Sequence, residues 1–403
     1  MSEKKNNMQE DNMMKTKRIN FAMDGGFSGN KMCLNGDFIQ VPFSVVDITN
    51  KPQEQWGEAY EDGYIRGTVD GRTYLVGQAA KVSLAYDGGS SEEGREMDAF
   101  STMARYTMDI FKPALEIFIA YGLYWYCTEG TGKEKGYRLE ELDSYEIVVG
   151  NALPHADVKK LAPVVREYLT GKKKGKHSVL LKVGDKDEVA VEYTVSSTMF
   201  NSQTSCCLVN EVFDENGQKM AGDTLYNHLP ALVIDGGYKT MGKFYMRRDH
   251  TVTGGVSNIE YAMLNVNSLV AQKISEKSPG FKDYMVDERI ENEAVVRYLE
   301  DNVCKEIDVR QVKDEVMKDV VERYIAELLK SHDNLLDVET ILIAGGTGAA
   351  YYPYIKDYCE KERNFIHVVL AFQDEKTAVC GTYGNPVYAI AAGMYKCMIM
   401  QEK

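Results

Sequence analysis

The sequence lacks the cysteine and histidine patterns that mark several classes of protein. None of its eight cysteines forms a CxxC pair, and no metal-ligand spacing joins them to the six histidines. This pattern argues against a zinc site. Scattered cysteines without a regular framework are typical of a reducing compartment, and we expect a cytoplasmic protein.

The sequence also lacks a long hydrophobic run and an excess of basic charge. Its most apolar stretch, 110–127, contains Lys112 and Glu116 and does not predict a membrane span. The net charge of −14 argues against sequence-independent binding to nucleic acid, and the basic stretch 172–176 is typical of a solvated loop. Residues 1–17 lack the apolar core of a signal peptide, and we expect a disordered extension there. We therefore expect no direct contact with a membrane or with nucleic acid.

Familiar catalytic motifs are absent as well. No HExxH, GxSxG or Ser/His/Asp pattern stands out, and His155, in a turn after a predicted strand, fits a capping or surface role better than catalysis. The stretch 237–243 matches the start of a P-loop, but Phe244 stands where a hydroxyl is needed and a strand pattern follows. The stretch 346–348 lacks the third glycine of a dinucleotide fingerprint. We therefore reject both motifs.

What the sequence does contain is one pattern that occurs twice. The stretches 18–34 and 231–246 read RINFAMDGGFSGNKMCL and ALVIDGGYKTMGKFYM. In each, an apolar run ends in Asp-Gly-Gly-aromatic and passes through a lysine to a second apolar run, which predicts a strand, a turn and a strand. The second copy has one extra residue before its lysine. Asp24, Gly25, Gly26, Phe27 and Lys31 correspond to Asp235, Gly236, Gly237, Tyr238 and Lys243.

The repeated pattern has two interpretations. Each copy alone fits an ordinary hairpin with a glycine turn. Glycines also let the backbone approach a ligand, turn N–H groups can hold an anion, and a carboxylate at a strand end can hold the Mg²⁺ of a nucleotide. Because the unit is repeated, we favour two hairpins that clamp a nucleotide between two similar domains.

Strands alternate with helices along the chain, which predicts an α/β protein, and the length of 403 residues predicts two to three domains. We expect hairpin turns at 70–71 and 184–185, a helix from Asp98 with a kink or break at Pro113, and a loop over 130–141. The other main elements expected are helices at 202–213, 258–277, 287–300, 308–331 and 385–400 and a buried strand at 340–344.

The order and spacing of short motifs resemble the actin-like ATPase superfamily, and most of all the plasmid-segregation actins of the ParM type. The resemblance covers nearly the whole chain from residue 18. The stretch 24–31 is similar to the first phosphate motif, 235–237 to the second, 341–347 to the adenosine motif, 199–208 to the connecting helix with its water-positioning glutamine, and 385–389 to the second connecting segment.

The resemblance implies an actin-like ATPase fold, with two related α/β domains, each with a smaller subdomain, around a nucleotide cleft. Domain I would comprise 18–210 and 385–403, with a smaller subdomain at about 41–97. Domain II would comprise 211–384, with a smaller subdomain at about 263–334.

The resemblance also implies a site for ATP or GTP with Mg²⁺. Asp24 and Asp235 are the expected Mg²⁺ ligands, largely through water, and Gln203 is expected to position the attacking water. These three are the expected catalytic residues. The expected phosphate and adenosine contacts are Gly25, Gly26, Phe27, Ser28, Gly29, Asn30, Lys31, Gly236, Gly237, Tyr238, Lys239, Thr240, Gly345, Gly346 and Thr347.

The implied function is that of an ATPase that polymerises head to tail and hydrolyses ATP to drive the segregation of plasmid DNA. Its expected partners are further copies of itself, in a helical filament, and an adaptor protein bound to centromere-like DNA. The alternatives are a monomeric small-molecule kinase of the same superfamily and a non-hydrolysing actin-like scaffold, because the fold alone does not separate these functions.

Overall fold

The computed structural model describes residues 17–26, 29–50, 64–80, 108–155, 157–171, 175–222 and 224–402. Three predictions therefore lie wholly or largely outside the described residues. They are the disordered extension, the basic stretch 172–176 and the start of a helix at Asp98.

The first sheet contains the first copy of the repeat in two adjacent strands near one of its edges. In the described residues it consists of β1 (Arg18–Gly25), β2 (Asn30–Leu34), β3 (Asp37–Val41), β4 (Val45–Asp47), β5 (Ile65–Val69), β6 (Arg72–Val76), β7 (Glu146–Leu153), β8 (Lys176–Val183) and β9 (Val189–Ser202). The strand order is β3-β2-β1-β7-β9-β8-β5-β6-β4. β3, β2 and β1 are antiparallel neighbours, whereas β1, β7 and β9 run parallel.

The second sheet holds the second copy in the same position. The later strands are β10 (Ala231–Gly236), β11 (Met241–Met246), β12 (Val252–Asn258), β13 (Val295–Glu300), β14 (Val303–Asp308), β15 (Thr340–Ala344) and β16 (His367–Leu370). The sheet order is β12-β11-β10-β15-β16, and β13 and β14 form a separate hairpin. β12, β11 and β10 are antiparallel and β10, β15 and β16 parallel, which repeats the pattern of β3-β2-β1-β7-β9. The sequence repeat is thus a repeat of the fold.

Helices cover both sheets. In the described residues the main ones are α1 (Phe111–Thr128), α2 (Thr131–Glu134), α3 (Val158–Arg166), α4 (Gln203–Val212), α5 (Met263–Ser275), α6 (Tyr284–Glu291), α7 (Val309–Ser331), α8 (Gly346–Glu362) and α9 (Ala389–Gln401). Side-chain caps fix the starts of α4 and α7: Ser202 accepts a hydrogen bond from Ser205 N at α4, and Asp308 accepts from Arg310 N and Gln311 N at α7. Among the described residues, no helix has both the length and the apolar character that crossing a bilayer requires.

Two helices lie in the core between the sheets. α1 and α3 pack on the outer face of the first sheet, and α5, α7 and α8 pack on the outer face of the second. α4 and α9 fill the space between the inner faces. A Cβ at Gly393 of α9 would lie 1.8 Å from the carbonyl oxygen of Cys206 on α4, so the two helices meet backbone to backbone.

The structure confirms the predicted fold class and corrects several elements. The turns at 70–71 and 184–185 are confirmed. The first long helix begins at Phe111, and the described residues 108–110 before it are not helical. Pro113 therefore lies in the first turn, where a missing N–H breaks no helical hydrogen bond. The loop predicted over 130–141 contains α2 and the start of a 3₁₀ turn, Leu139–Ser144.

Two further helix predictions were wrong in part. The helix predicted at 287–300 ends at Glu291, and β13 follows after Ala294, whose φ of 57° interrupts the helix. The helix predicted at 258–277 begins only at Met263, as α5, and Asn258 is the last residue of β12. The domain boundaries given above remain predictions.

Candidate functional site

Asp24 and Asp235 occupy equivalent positions in the two sheets. Each is the second-last residue of a strand, β1 or β10, that pairs antiparallel with one neighbour and parallel with the other. Asp24 lies opposite Ala152 of the parallel neighbour β7, and Asp235 lies opposite Ala344 of the parallel neighbour β15. Both carboxylates are thus at the carboxyl ends of parallel strands, the usual location of ligand sites in α/β sheets.

Gln203 and Lys31 both contact Asp24. The Gln203 Nε2 donates to Asp24 Oδ1 at 2.8 Å, and the Lys31 Nζ lies 3.4 Å from Asp24 Oδ2. Gln203 is the first residue of α4, and the Ser202 cap fixes the start of that helix. Asp24 is only 1% exposed, so these contacts are shielded from solvent. The structure therefore brings the predicted water-positioning glutamine onto the first predicted Mg²⁺ ligand.

The second carboxylate is electrostatically coupled to the first. Burial and, next, the charge of Asp24 raise the pKa of Asp235 to about 7, and the charge of Lys31 opposes this shift. Two carboxylates in a buried site repel each other, and a divalent cation between them would relieve that repulsion. In the described part of the chain no group of three or more His, Cys, Asp or Glu side chains converges. A pair of carboxylates suits Mg²⁺, which keeps several of its waters.

The first glycine turn approaches its surroundings closely. A Cβ at Gly26 would lie 2.6 Å from Lys31 Nζ, and a Cβ at Gly29 would lie 2.7 Å from Gln40 Nε2. A side chain at either position would displace the end of Lys31 or Gln40 and would lie 3.2 Å from a backbone carbonyl oxygen, of Gly29 or Val41. Gly25 ends β1, while Phe27 and Ser28 lie outside the described residues.

The second glycine turn packs directly on the start of α8. A Cβ at Gly236 would lie 2.1 Å from Gly348 N, and a Cβ at Gly345 would lie 2.4 Å from Gly236 O and 2.9 Å from Asp235 Oδ1. Gly345 also has a φ of 79°, which favours glycine. Gly346 is the first residue of α8, so the free N–H groups of a helix N-terminus lie beside Asp235 and the turn.

Further hydrogen bonds hold this second turn. Gly237 N donates to Thr240 O at 2.8 Å, and Thr347 Oγ1 donates to Gly237 O at 2.7 Å. Tyr238 O accepts from Leu264 N at the start of α5. Lys239 is buried in the same turn. The predicted residues of the second phosphate motif and of the adenosine motif therefore form one continuous structure.

The two lysines of the repeat do not play equivalent parts. Lys31 lies opposite Asp24 in the β1–β2 pair, whereas Lys243 lies opposite Ile234, one residue before Asp235. Side chains alternate faces along a strand, so the extra residue of the second copy turns Lys243 away from the site. Its ammonium instead contacts both carboxylate oxygens of Glu327 on α7, at 2.8 and 2.9 Å. Lys243 lies within β11 with no helix after it, which confirms that this stretch is no P-loop.

Two buried polar side chains near the carboxylates lack a partner among the described residues. Both side-chain atoms of Asn30 and the Oγ1 of Thr204 make no hydrogen bond. Asn30 is the first residue of β2 and lies opposite Gly25. Thr204 follows Gln203, and its Cγ2 would lie 3.8 Å from a Cβ at Gly242, the residue opposite Asp235. Buried polar groups are normally satisfied, so these atoms fit a site that receives a polar ligand or its waters. Asn30 was predicted, but Thr204 was missed, and only its position after Gln203 could have indicated it.

Comparison with known proteins identifies the fold. No protein-family model and no curated protein matches this sequence. Solved structures do match. The apo ParM protein of pSK41 is 13% identical with a TM-score of 0.62, covering 96% of this chain and 98% of that chain. A 15-stranded ParM filament from Clostridium botulinum is 15% identical with a TM-score of 0.60, covering 96% and 99%.

An archaeal actin homologue in complex with ADP is 13% identical with a TM-score of 0.58, covering 94% of this chain and 99% of that chain. This chain has the actin-like fold. The fold implied by the sequence motifs is therefore confirmed over nearly the whole chain. In this actin-like chain each repeated hairpin forms the second and third strands of its sheet, β2 and β1 in the first sheet and β11 and β10 in the second.

Proposed function

We propose that this chain is an actin-like ATPase that binds Mg-ATP between its two sheets and polymerises head to tail. One observation supports this proposal most: Gln203 of α4 contacts Asp24, and the charge of Asp24 raises the pKa of Asp235 in the other sheet. Three residues suited to nucleotide hydrolysis, two aspartates and a glutamine, thus come from the first sheet, the second sheet and the helix between them.

In this proposal Asp24 and Asp235 hold Mg²⁺ largely through its waters. The bound ion would offset the negative charge of the phosphates. Lys31 and the backbone N–H groups of the two glycine turns would bind the β- and γ-phosphates, and Gly345 and Gly346 would border the adenosine. Gln203 would orient the attacking water, which is a positioning role with little covalent chemistry. Either ATP or GTP fits these contacts.

Assembly follows from the same proposal. A head-to-tail interface that does not close on itself produces a filament. One of the similar solved structures is a ParM filament, which supports self-association here. We propose that the filament segregates plasmid DNA in the cytoplasm through an adaptor protein bound to centromere-like DNA. The net charge of −14 favours such an adaptor over direct contact with DNA.

Sedimentation with imaging tests the assembly. We expect polymers in the pellet, and filaments in electron micrographs, with Mg²⁺ and a non-hydrolysable ATP analogue. Chelation of Mg²⁺ or omission of the nucleotide should leave the protein in the supernatant. Protein that binds the nucleotide tightly but stays monomeric at high concentration would contradict the proposal and favour a small-molecule kinase.

A further inference from the structure

β12 contains a β-bulge that faces the first sheet. Lys243 of β11 pairs with Val256, and Tyr245 pairs with Thr253, so Gly254 and Gly255 together lie opposite the single residue Phe244. Gly254 has a φ of 70°, as a bulge of this kind requires. Bulges bend a strand and occur often beside active sites.

The side chain of His155, which follows β7 of the first sheet, lies against this bulge. It follows β7 after Pro154, and its ring stacks on Phe244 with 6.2 Å between the centroids and 28° between the planes. A Cβ at Gly255 would lie 2.1 Å from His155 Cδ2 and 2.9 Å from Nε2. The imidazole therefore fills the space that any side chain at position 255 would need.

This contact joins the strands that flank the two carboxylates. Ala152 of β7 lies opposite Asp24 and is three residues before His155. Gly242 of β11 lies opposite Asp235 and is two residues before Phe244. His155 is exposed at the edge of this contact. The stacked rings thus connect the neighbour of one carboxylate strand to the neighbour of the other.

We propose that His155 is a positioning residue that, by filling the β12 bulge, holds the two sheets at the separation that nucleotide binding requires. Its effect on the nucleotide rests on the proposed function. The imidazole acts through its shape and its stacking on Phe244, so phenylalanine should replace it and alanine should not.

A double-mutant cycle tests this contact. His155→Ala removes the ring, Gly255→Ala forces a methyl group into it, and the double variant has neither ring nor clash. We expect His155→Ala to raise the dissociation rate of a fluorescent ATP analogue about three- to tenfold, the size of one aromatic contact. Gly255→Ala should raise this dissociation rate more than His155→Ala does. The double variant should dissociate no faster than His155→Ala, and His155→Phe should dissociate at nearly the wild-type rate. The proposal would be overturned if the fold-increases of the two single variants multiplied in the double variant. It would also be overturned if His155→Phe raised the dissociation rate as much as His155→Ala.

A second measurement needs no nucleotide. Hydrogen exchange of the amides in 248–262 should accelerate in His155→Ala and return to the wild-type rate in His155→Phe. Unchanged exchange in His155→Ala would show that the ring does not hold the bulge. If the exchange result is as expected but the wild-type protein binds no nucleotide, the proposed function fails while the contact itself stands.

Discussion

At the scale of single residues, the proposed site contains two buried carboxylates that repel each other, and a bound cation would relieve that repulsion. Asp24 is held by Gln203 and Lys31, whereas the pKa of Asp235 is raised to about 7 by burial and by Asp24. Removing one carboxylate therefore removes half of the proposed Mg²⁺ site and also relieves a repulsion. This combination predicts a loss of function without a loss of fold.

We predict that Asp235→Ala folds normally but releases phosphate from ATP about 100-fold more slowly or worse. Its thermal midpoint should equal or exceed that of the wild type, because a buried like-charge contact is gone. Asp357→Ala on α8, which removes only an exposed i,i+4 ion pair with Lys361, is the matched control and should change neither quantity. Wild-type phosphate release from Asp235→Ala would exclude the role assigned to this carboxylate.

Gln203→Ala should separate binding from hydrolysis. Without the amide the attacking water is no longer oriented, and we expect phosphate release to fall about 100-fold while nucleotide affinity changes little. Filaments of this variant should persist after the wild-type filaments have disappeared, as time-resolved sedimentation would show. Equal lifetimes for the two proteins would mean that Gln203 does not position the water.

A buried pair away from the site predicts a pH dependence of stability. Glu211 accepts hydrogen bonds from Phe372 N and from Asn210, yet burial raises its pKa to about 7. Lys396 donates to Asn210 O and Thr377 O, yet burial lowers its pKa to about 8. Each group is therefore more easily neutralised in the folded chain than in the unfolded chain.

The signs follow from proton binding. Between pH 4.5 and 7 the folded chain holds the Glu211 proton that the unfolded chain has lost, so stability falls as pH rises. From about pH 8 to 10.5 the unfolded chain holds the Lys396 proton that the folded chain has lost, so stability rises. Glu211→Gln should remove the decrease in the free energy of unfolding between pH 4.5 and 7, which is up to about 3 kcal/mol and can be measured by urea denaturation. The surface variant Glu215→Gln is the control, and an unchanged slope in Glu211→Gln would refute this assignment.

At the scale of elements, the crossing of α4 and α9 is the most constrained contact between the sheets. Gly393→Ala should destabilise the protein by about 1–3 kcal/mol, because its methyl group would collide with the α4 backbone at Cys206. Gly346→Ala, whose Cβ would meet only Val387 at 3.8 Å, is the control for stability. Equal midpoints for the two variants in denaturant would contradict the close crossing.

The elements also show what the sequence could predict. The Asp-Gly-Gly turns mark both repeated hairpins, and the helix at 308–331 follows its apolar spacing closely. β13 was predicted as helix because its charged residues occur at helical spacing, whereas the turn at Asp301 and Asn302, both with positive φ, determines the hairpin. Registers were not predictable, and one inserted residue turned Lys243 to α7.

Contacts between distant segments were also beyond the sequence. His155 and Gly255 are 100 positions apart, and nothing in either local pattern indicates that they meet. The sequence also could not predict that the Thr204 hydroxyl is buried without a hydrogen-bond partner, because burial depends on the tertiary structure. The residues of the proposed site could be predicted because a motif repeats, and the contacts around them could not.

At the scale of the whole molecule, two sheets of the same pattern face each other across α4 and α9. We propose that a change of the nucleotide between the sheets changes the angle between them, and that this angle sets the affinity for the next subunit. Hydrolysis would then convert a stable filament into one that disassembles.

The most direct test records light scattering and phosphate release together after Mg-ATP is added to micromolar protein. We predict that scattering rises, then decays as phosphate appears, and that Gln203→Ala gives the rise without the decay. Scattering that stays flat, with phosphate transfer only when a small-molecule acceptor is supplied, would contradict the account and assign the protein to the kinases of this fold.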